Sequence, residues 1–291
     1  MMNDYLVKAY AFDGTTRIYA AKTTDLVEEA RQLHDTWPAA TAAFGKALTA
    51  SVIMGAMYKE DQKLTLRIDG GGPLGGIVTT TNARGEVRGY VGNPHTHMST
   101  NDNRLADAFA VGNNGFIHVT KDLQVRNIFT SSSEIQTGEI SQDLTYYFAM
   151  SEQIPSSVGL GVLVDETNVC QAAGGFILQI MPGAKKETIE TIEQTIRSMK
   201  PVSELIKNDY TPEMIIHEIT RGDHQLMETM SLHYQCDCSY DRFANSLIAL
   251  GKNELKTLID ENEPIETQCH FCNKKYVYSL EELKKFYESA K

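Results

Sequence analysis

The sequence lacks an apolar run long enough to cross a membrane, since nowhere do about 18 apolar residues follow one another. Residues 1–12 include an acidic side chain at Asp4, and they lack the basic region and the apolar segment of a secretory signal. These absences predict a protein that stays in the cytoplasm and has no membrane partner.

Positive charge is also scarce. The 291 residues include 38 acidic and 27 basic side chains, which give a formal net charge of -11. Non-specific nucleic-acid binding depends on cations that neutralise phosphates, so this balance argues against nucleic acid as a partner. The hydrophobic content of 42% is ordinary for globular proteins and excludes wholesale disorder. The length suggests about two domains.

Cysteine is nearly absent from most of the chain. Cys170 stands alone, whereas four of the five cysteines fall within the last 56 residues, at Cys236, Cys238, Cys269 and Cys272. Cytosolic thiols are normally kept reduced, so clustered cysteines more often bind metal or do redox chemistry than form permanent disulfides. For Cys170 we expect the role of a small buried apolar residue.

The spacing of the four clustered cysteines predicts a zinc site. A C-x-C pair is followed by thirty intervening residues and a C-x-x-C pair, and a fold can bring two such pairs together as a tetrahedron of sulfurs. Four thiolates around a divalent ion leave about two negative charges, which Lys274, Lys275 and backbone N–H groups are expected to stabilise. His270 is an alternative ligand, although four sulfurs already fill a tetrahedral site. Two other interpretations are possible. Two structural disulfides are disfavoured because the cytosol is reducing, and four unrelated buried thiols are disfavoured because the cysteines are clustered.

A zinc ion would decide the stability of residues 232–291. A module of about 60 residues is marginal by itself, whereas structural zinc in comparable peptides contributes apparent binding energies of roughly 10 to 16 kcal/mol. Each cysteine pair is also close enough to form a local disulfide, which is incompatible with full coordination. Peroxide or hypochlorous acid would then eject zinc and unfold the module. Most four-cysteine sites are simply structural, so the residues permit this switch without establishing it.

The hydrophobic pattern predicts an α+β protein. Residues 1–181 contain short β-branched or aromatic runs between Gly, Asn and Asp turns, which indicates a mixed α/β core domain. A helix at about residues 38–58 is apolar nearly all round, apart from Lys46, so we expect the sheets to pack on it and bury it. Asp25 and Glu28 fit a helix N-cap and its capping-box partner.

Residues 182–231 are predicted to form a helical linker, which prolines divide into three helices. The first helix carries an apolar stripe that must cover another surface. The stripe consists of Ile189, Ile192, Ile196 and Met199. Residues 232–291 form the predicted small C-terminal zinc-binding domain, whose terminal helix begins with a capping box at Ser279 and Glu282.

Other motifs give weaker signals. The glycine-rich loop at residues 70–76 fits G-x-G-x-x-G, but a returning strand follows it instead of a helix, so we expect a hairpin turn and not a dinucleotide site. His95 and His97 have no third ligand at a suitable spacing, which favours a polar loop. Residues 131–133 lack the context of a nucleophilic serine.

Several further blocks occur in order along the chain. They are GEI at 138–140, DLTYYF at 143–148, SEQIPS at 151–156, AGGF at 173–176 and MPG at 181–183. With the cysteine motif, they give the chain a resemblance, over essentially its full length, to the redox-regulated heat-shock protein 33 family, also called the 33 kDa chaperonin.

The resemblance implies a cytosolic holdase chaperone that needs no ATP and is not an enzyme. Its reduced form binds one zinc through the four cysteines and is inactive or weakly active. Oxidation forms local disulfides, Cys269 with Cys272 and Cys236 with Cys238, releases zinc, and unfolds the module and then the linker. Exposed apolar surface captures unfolding client proteins, the active form associates into homodimers, and clients pass to ATP-dependent foldase chaperones.

The apolar stripe of the linker fits this scheme as a candidate client-binding or switch surface, covered in the resting state and released on activation. A rival interpretation is a zinc-ribbon module that binds RNA or one protein partner and uses its metal only as architecture. A hydrolase built on the N-terminal domain is a weaker alternative. Zinc release and suppression of client aggregation, measured before and after peroxide, distinguish these interpretations.

Overall fold

A computed structural model describes residues 4–96, 106–125 and 127–290, and it divides the chain into two compact units. The first unit is Met1–Gln235 and the second is Cys236–Lys291. Within the described residues, no helix is both long enough and apolar enough to span a bilayer.

The first unit combines eleven strands with seven helices, counted over its described residues. The strands are β1 (Tyr5–Ala11), β2 (Thr16–Lys22), β3 (Lys63–Asp69), β4 (Ile77–Asn82), β5 (Glu86–Val91), β6 (Phe116–Asp122), β7 (Phe129–Glu134), β8 (Ser156–Val164), β9 (Cys170–Ile180), β10 (His224–Ser231) and β11 (His233–Tyr234). The helices are α1 (Thr24–His34), α2 (Pro38–Gly55), α3 (Ala106–Val111), α4 (Ile140–Met150), α5 (Lys186–Ser198), α6 (Val202–Lys207) and α7 (Pro212–Thr220).

Two sheets of this unit pack on α2. The first sheet has the order β10-β1-β2-β9-β8 and the second has the order β11-β5-β4-β3-β6-β7. Helix α2 contacts strands of both sheets, and its side chains are buried along nearly its whole length. The reason is its composition, because a helix that is apolar on every side is stable only when it is surrounded. The predicted core helix is therefore confirmed.

Helices α5, α6 and α7 form a layer on the other face of the first sheet. Val7, Ile18 and Phe176 of the sheet belong to one buried cluster with Ile206 of α6 and Ile215 of α7. The three helices lie close to the bounds that the proline pattern predicts. We call them the helical layer.

The last eight residues of the predicted helical linker form a strand, β10, and not a helix. It pairs antiparallel with β1 at the edge of the first sheet, with Tyr5 opposite Ser231. Most of its side chains are exposed, so neither face of the strand is a buried apolar face. The sequence therefore lacks the alternation of apolar and polar residues that predicts a strand.

The prediction that Asp25 caps α1 is wrong. The N-cap is Thr23, two residues before Asp25, and its side chain makes no hydrogen bond to the helix. The backbone N–H of Leu26 instead donates to Oδ2 of Asp4 at 2.7 Å. A carboxyl group from outside the helix thus satisfies a free N–H of the first turn. Glu28 is engaged elsewhere, in an ion pair with Arg31 at 2.7 Å.

The second unit contains α8 (Tyr240–Ala249), α9 (Lys252–Asp260), β12 (Ile265–Gln268), β13 (Lys275–Tyr278) and α10 (Leu280–Ser289). Its buried cluster is small: Ala244, Leu247, Leu255, Tyr276, Tyr278, Leu283 and Ala290. The predicted capping box is confirmed, since Ser279 Oγ accepts from the Glu282 N–H and the Glu282 carboxylate accepts from the Ser279 N–H. Strands β12 and β13 form an antiparallel hairpin.

Candidate metal centre

The structure brings together the four cysteines of the C-x-C and C-x-x-C motifs. The Sγ atoms of Cys236, Cys238, Cys269 and Cys272 all lie within 4.8 Å of one another. The Cys236 and Cys269 sulfurs are 3.7 Å apart, and the Cys238 and Cys272 sulfurs are 3.4 Å apart. A tetrahedral ion with bonds of about 2.3 Å to sulfur separates its ligands by about 3.8 Å. The cluster could therefore hold a metal ion.

Local structure explains why each pair of sulfurs points into the cluster. Cys269 and Cys272 lie in the turn between β12 and β13, where the Cys269 N–H donates to the Lys274 carbonyl at 3.0 Å and the Asn273 N–H donates to the Cys269 carbonyl at 2.8 Å. Asn273 has φ of 57°, the left-handed conformation that asparagine tolerates better than most residues. The turn thus holds both C-x-x-C sulfurs on one side.

The C-x-C pair is held by the start of α8. The residue after Cys238 is Ser239, whose hydroxyl accepts from the Arg242 N–H at 3.2 Å and caps the helix. The Arg242 guanidinium also pairs with Asp237 at 3.0 Å. Because these contacts fix the backbone on both sides of Cys238, its sulfur has a defined direction.

One side chain beside the cluster was not selected from the sequence. The Tyr276 hydroxyl lies 3.1 Å from Cys238 Sγ. Tyr276 stands four residues after Cys272, on the strand that the C-x-x-C turn opens. The sequence places it on that strand, but its contact with a sulfur thirty-eight residues away depends on the fold.

The thiols of the cluster titrate differently. Burial opposes ionisation of Cys238, yet hydrogen bonds from the Tyr276 hydroxyl and the neighbouring thiols outweigh it and lower the Cys238 pKa to about 7. Burial raises the pKa of Cys269 and that of Cys272, and the hydrogen bonds with neighbouring thiols add to this effect. The surroundings of Cys238 therefore favour its thiolate form, whereas those of Cys269 and Cys272 favour the protonated thiol.

Two lysines expected to stabilise the cluster point to other partners. Lys275 Nζ pairs with Glu266 at 2.8 Å, and Lys274 Nζ lies 5.4 Å from the centre of the Tyr276 ring. His270, the alternative ligand, does not belong to the group of candidate ligand atoms found within the described ranges. The cluster is thus an all-sulfur donor set.

Cys170 lies apart from the cluster, as expected. It is 5% exposed in the core of the first unit, and its N–H donates to Glu28 Oε2 at 2.9 Å. Burial raises the pKa of its thiol to about 12, with Glu28 and Asp4 adding to the effect. At neutral pH almost none of this thiol is ionised, and because the thiolate is the form that reacts, Cys170 is unreactive towards oxidants.

The four residues of the apolar stripe, which lies on α5 of the helical layer, are buried to different extents. Ile192 is 3% exposed and belongs to the buried cluster of that layer, and Ile196 and Met199 pack against it. Ile189 is half-buried. The stripe therefore covers an apolar surface, as its spacing requires.

The remaining motifs have structural roles. Strands β3 and β4 pair antiparallel on either side of the glycine-rich loop, which confirms the hairpin. Loop N–H groups bond to backbone carbonyls, for example Gly72 to Val111 at 3.0 Å and Leu74 to Ala110 at 2.9 Å, and so are not available to a phosphate. His95 Nε2 lies 2.9 Å from an Asp35 carboxylate oxygen, and His97 lies outside the described residues.

Comparison with known proteins supplies the context of this site. The family model described as "Hsp33 protein" matches residues 4–279. The chain is 50% identical over 291 residues, 99% of each chain, to a protein of Geobacillus sp. (strain WCH70) named 33 kDa chaperonin. It is 50% identical over 281 residues to a protein of the same name from Bacillus subtilis (strain 168), covering 96% of this chain and 97% of the relative.

A solved structure agrees with these relatives. It is the crystal structure of a 33 kDa chaperonin, described as a heat shock protein 33 homolog, from Thermotoga maritima. The TM-score is 0.92 at 34% sequence identity, and the match covers 99% of this chain and 98% of that one.

Proposed function

The chain belongs to the Hsp33 family, and we propose that it is a cytoplasmic, ATP-independent holdase chaperone and not an enzyme. Oxidation activates it. In its reduced form the four cysteines hold one zinc ion and the chaperone is inactive. Oxidation of these cysteines releases the zinc and unfolds first the module of residues 232–291 and then the linker of residues 182–231. The single observation that carries the proposal is the meeting of four sulfurs within 4.8 Å in a unit with a small core.

The donor set supports zinc as the metal. Zinc accepts four thiolates in tetrahedral geometry, and soft sulfur ligands select it over magnesium or calcium. When bound, zinc contributes the energy that joins the C-x-C segment to the β12–β13 turn. Without it, burial of a handful of side chains has to stabilise the whole second unit.

The oxidation step balances with peroxide as the oxidant. Two thiolates lose two electrons and form one S–S bond, while one peroxide takes up two protons and becomes two waters. Two such steps consume four thiolates, so no sulfur remains to coordinate zinc. We assign the disulfides as Cys269 with Cys272 and Cys236 with Cys238, as the family resemblance implies. Cross-pairs such as Cys238 with Cys272, at 3.4 Å, are the alternative that peptide mapping tests.

The helical layer supplies the surface that oxidation uncovers. It covers Val7, Ile18, Phe176 and Leu178 of the first sheet, all 2% exposed or less. If the layer unfolds, these side chains and the stripe of Ile189, Ile192, Ile196 and Met199 become available to apolar segments of unfolding client proteins. The same exposure favours association of two active chains into a homodimer, and bound clients pass to ATP-dependent foldases.

One experiment tests the switch. Zinc release and light scattering by a thermally unfolding client are measured on the full chain, before and after peroxide, at mildly raised temperature. We expect one zinc per chain to be released and scattering to fall only after oxidation. Cys170→Ala, which leaves the sulfur cluster intact, should behave like the wild type. A protein that keeps its zinc in peroxide, or loses it without suppressing scattering, contradicts the proposal.

A further inference from the structure

The four sulfurs of the metal centre have different surroundings. Cys236 and Cys269 approach each other at 3.7 Å. Cys238 has in addition the Tyr276 hydroxyl at 3.1 Å from its sulfur. A sulfur bound to zinc carries no proton, so in the loaded centre the hydroxyl is the donor and the sulfur is the acceptor.

Tyr276 is rigidly placed for this contact. Its side chain is 7% exposed, and its ring lies against Phe243 at 5.2 Å and Tyr240 at 6.3 Å between centroids. Its backbone pairs with Thr267 across the β12–β13 hairpin. The donor is therefore positioned by packing, whether or not the sulfur is ionised.

We propose that Tyr276 is a positioning residue of the metal centre, whose hydroxyl, by donating a hydrogen bond to Cys238 Sγ, sets how tightly zinc is held and how slowly peroxide attacks that sulfur. This inference rests on the proposed function and names a residue that regulates it. Four thiolates around one divalent ion form an anionic centre, and a hydrogen bond to one thiolate draws charge from it. The loaded centre is stabilised as a result.

The same hydrogen bond protects Cys238 from oxidation. Attack on peroxide uses a sulfur lone pair to form an S–O bond, with release of hydroxide, and the resulting sulfenic acid condenses with a second thiol to form the disulfide and water. A donor on the sulfur lowers the electron density available for the first step. Tyr276 thus raises the oxidant exposure needed to open the centre.

The test compares two tyrosines of one strand. Tyr276→Phe removes the hydroxyl that contacts sulfur and keeps the ring. Tyr278→Phe is the matched control, because Tyr278 is also buried and its hydroxyl donates to the Tyr240 carbonyl at 2.7 Å instead of to sulfur. Both variants lose a hydrogen bond in the same small core, so a general loss of stability affects both.

Three measurements on the full-length variants separate the roles. Zinc affinity is determined by chelator competition, zinc release is timed in peroxide, and the sulfur-to-metal charge-transfer band is recorded after cobalt(II) loading. For Tyr276→Phe we expect about tenfold weaker zinc binding, which is typical when a metal ligand loses a hydrogen-bond partner. We also expect faster zinc release. The cobalt band should move to lower energy because the thiolate regains electron density. Tyr278→Phe should leave the cobalt band unchanged.

A cobalt band that is identical in Tyr276→Phe and wild type, or that shifts equally in Tyr278→Phe, overturns the inference. Failure of the proposed function is visible separately, since a wild-type chain that retains zinc in peroxide contradicts the switch whatever the variants do. Mapping of alkylated cysteines after partial oxidation adds a direct readout. Cys238 should be oxidised earlier in Tyr276→Phe than in the wild type, and an unchanged order also counts against the role of Tyr276.

Discussion

The hydroxyl of Tyr234 lies 3.1 Å from Nε2 of His34, in the interior of the first unit. The same hydroxyl donates to the Gly89 carbonyl at 2.9 Å and accepts from the Gly89 N–H at 3.3 Å. Residue 234 stands two positions before Cys236, and strand β11 pairs with β5 at this point. Contacts within the first unit therefore fix the chain two positions before the first cysteine of the candidate metal centre.

Replacing Tyr234 by Phe should destabilise the first unit. The change leaves the buried Gly89 carbonyl and the His34 ring without this partner, and the loss of a buried hydrogen-bond partner costs about 1–3 kcal/mol. Urea unfolding followed by tryptophan fluorescence measures the change. Tyr10→Phe, at a residue that is 42% exposed, is the control and should have little effect. Equal stability of the two variants would show that the Tyr234 hydroxyl contributes nothing.

Removal of zinc should unfold the second unit and leave the α2 core of the first unit folded. The buried cluster of the second unit is small, whereas structural zinc contributes roughly 10–16 kcal/mol in comparable peptides. Hydrogen exchange on reduced, chelator-treated protein is the measurement. We expect amides of α8, α9 and α10 to lose protection and amides of α2 to keep it. Native-like protection of α8–α10 without metal contradicts the coupling of metal to fold.

Disrupting the apolar stripe should release the helical layer without an oxidant. Ile192→Ser combined with Ile196→Ser removes one side chain of the buried cluster that includes the helical layer and one that packs against that cluster, and each large apolar truncation in a core costs about 2–5 kcal/mol. Hydrogen exchange in α5–α7 should accelerate, and the reduced variant should suppress client aggregation. Gln194→Ser with Arg197→Ser, both on the exposed side of α5, is the matched control. Unchanged client binding by the stripe variant removes the stripe from the switch.

The buried carboxyl of Asp4 should make the stability of the first unit depend on pH. Burial raises its pKa to about 7, although the Leu26 N–H that it accepts lowers it in part. Within the described residues, Asp4 Oδ1 has no hydrogen-bond partner. The folded state therefore holds the proton up to a higher pH than the unfolded state, whose pKa is near 3.8.

Stability must then fall as pH rises from the unfolded pKa towards the folded one, because only the folded state still binds the proton in that range. Between about pH 5 and pH 8 the expected loss is on the order of 3 kcal/mol. Asp4→Asn keeps an oxygen for the Leu26 N–H and should flatten this slope in urea titrations. Asp25→Asn, on the exposed side of the same helical turn, should retain most of it. An identical slope in wild type and Asp4→Asn excludes Asp4 as its source.

Short-range patterns predicted the features that depend on neighbours in sequence. The apolar composition of α2 was enough to place it between the sheets, since no other environment covers every side of such a helix. Ser279 and Glu282 were paired correctly because a capping box spans one helical turn. The four cysteines were selected by their spacing, as ligand types are rare and distinctive.

The partners of single polar groups followed from the fold alone. Asp4, which immediately precedes the first strand, accepts from the first turn of α1 in place of Asp25, and the Tyr276 hydroxyl reaches Cys238. Each contact joins residues more than twenty positions apart, and each uses a residue type that has many alternative partners. A local pattern cannot choose among those partners, because the choice depends on which backbone segments the packed core brings within about 3 Å. The sequence by itself thus determined which atoms can bind the metal, whereas the tertiary structure decided which neighbour acts on them.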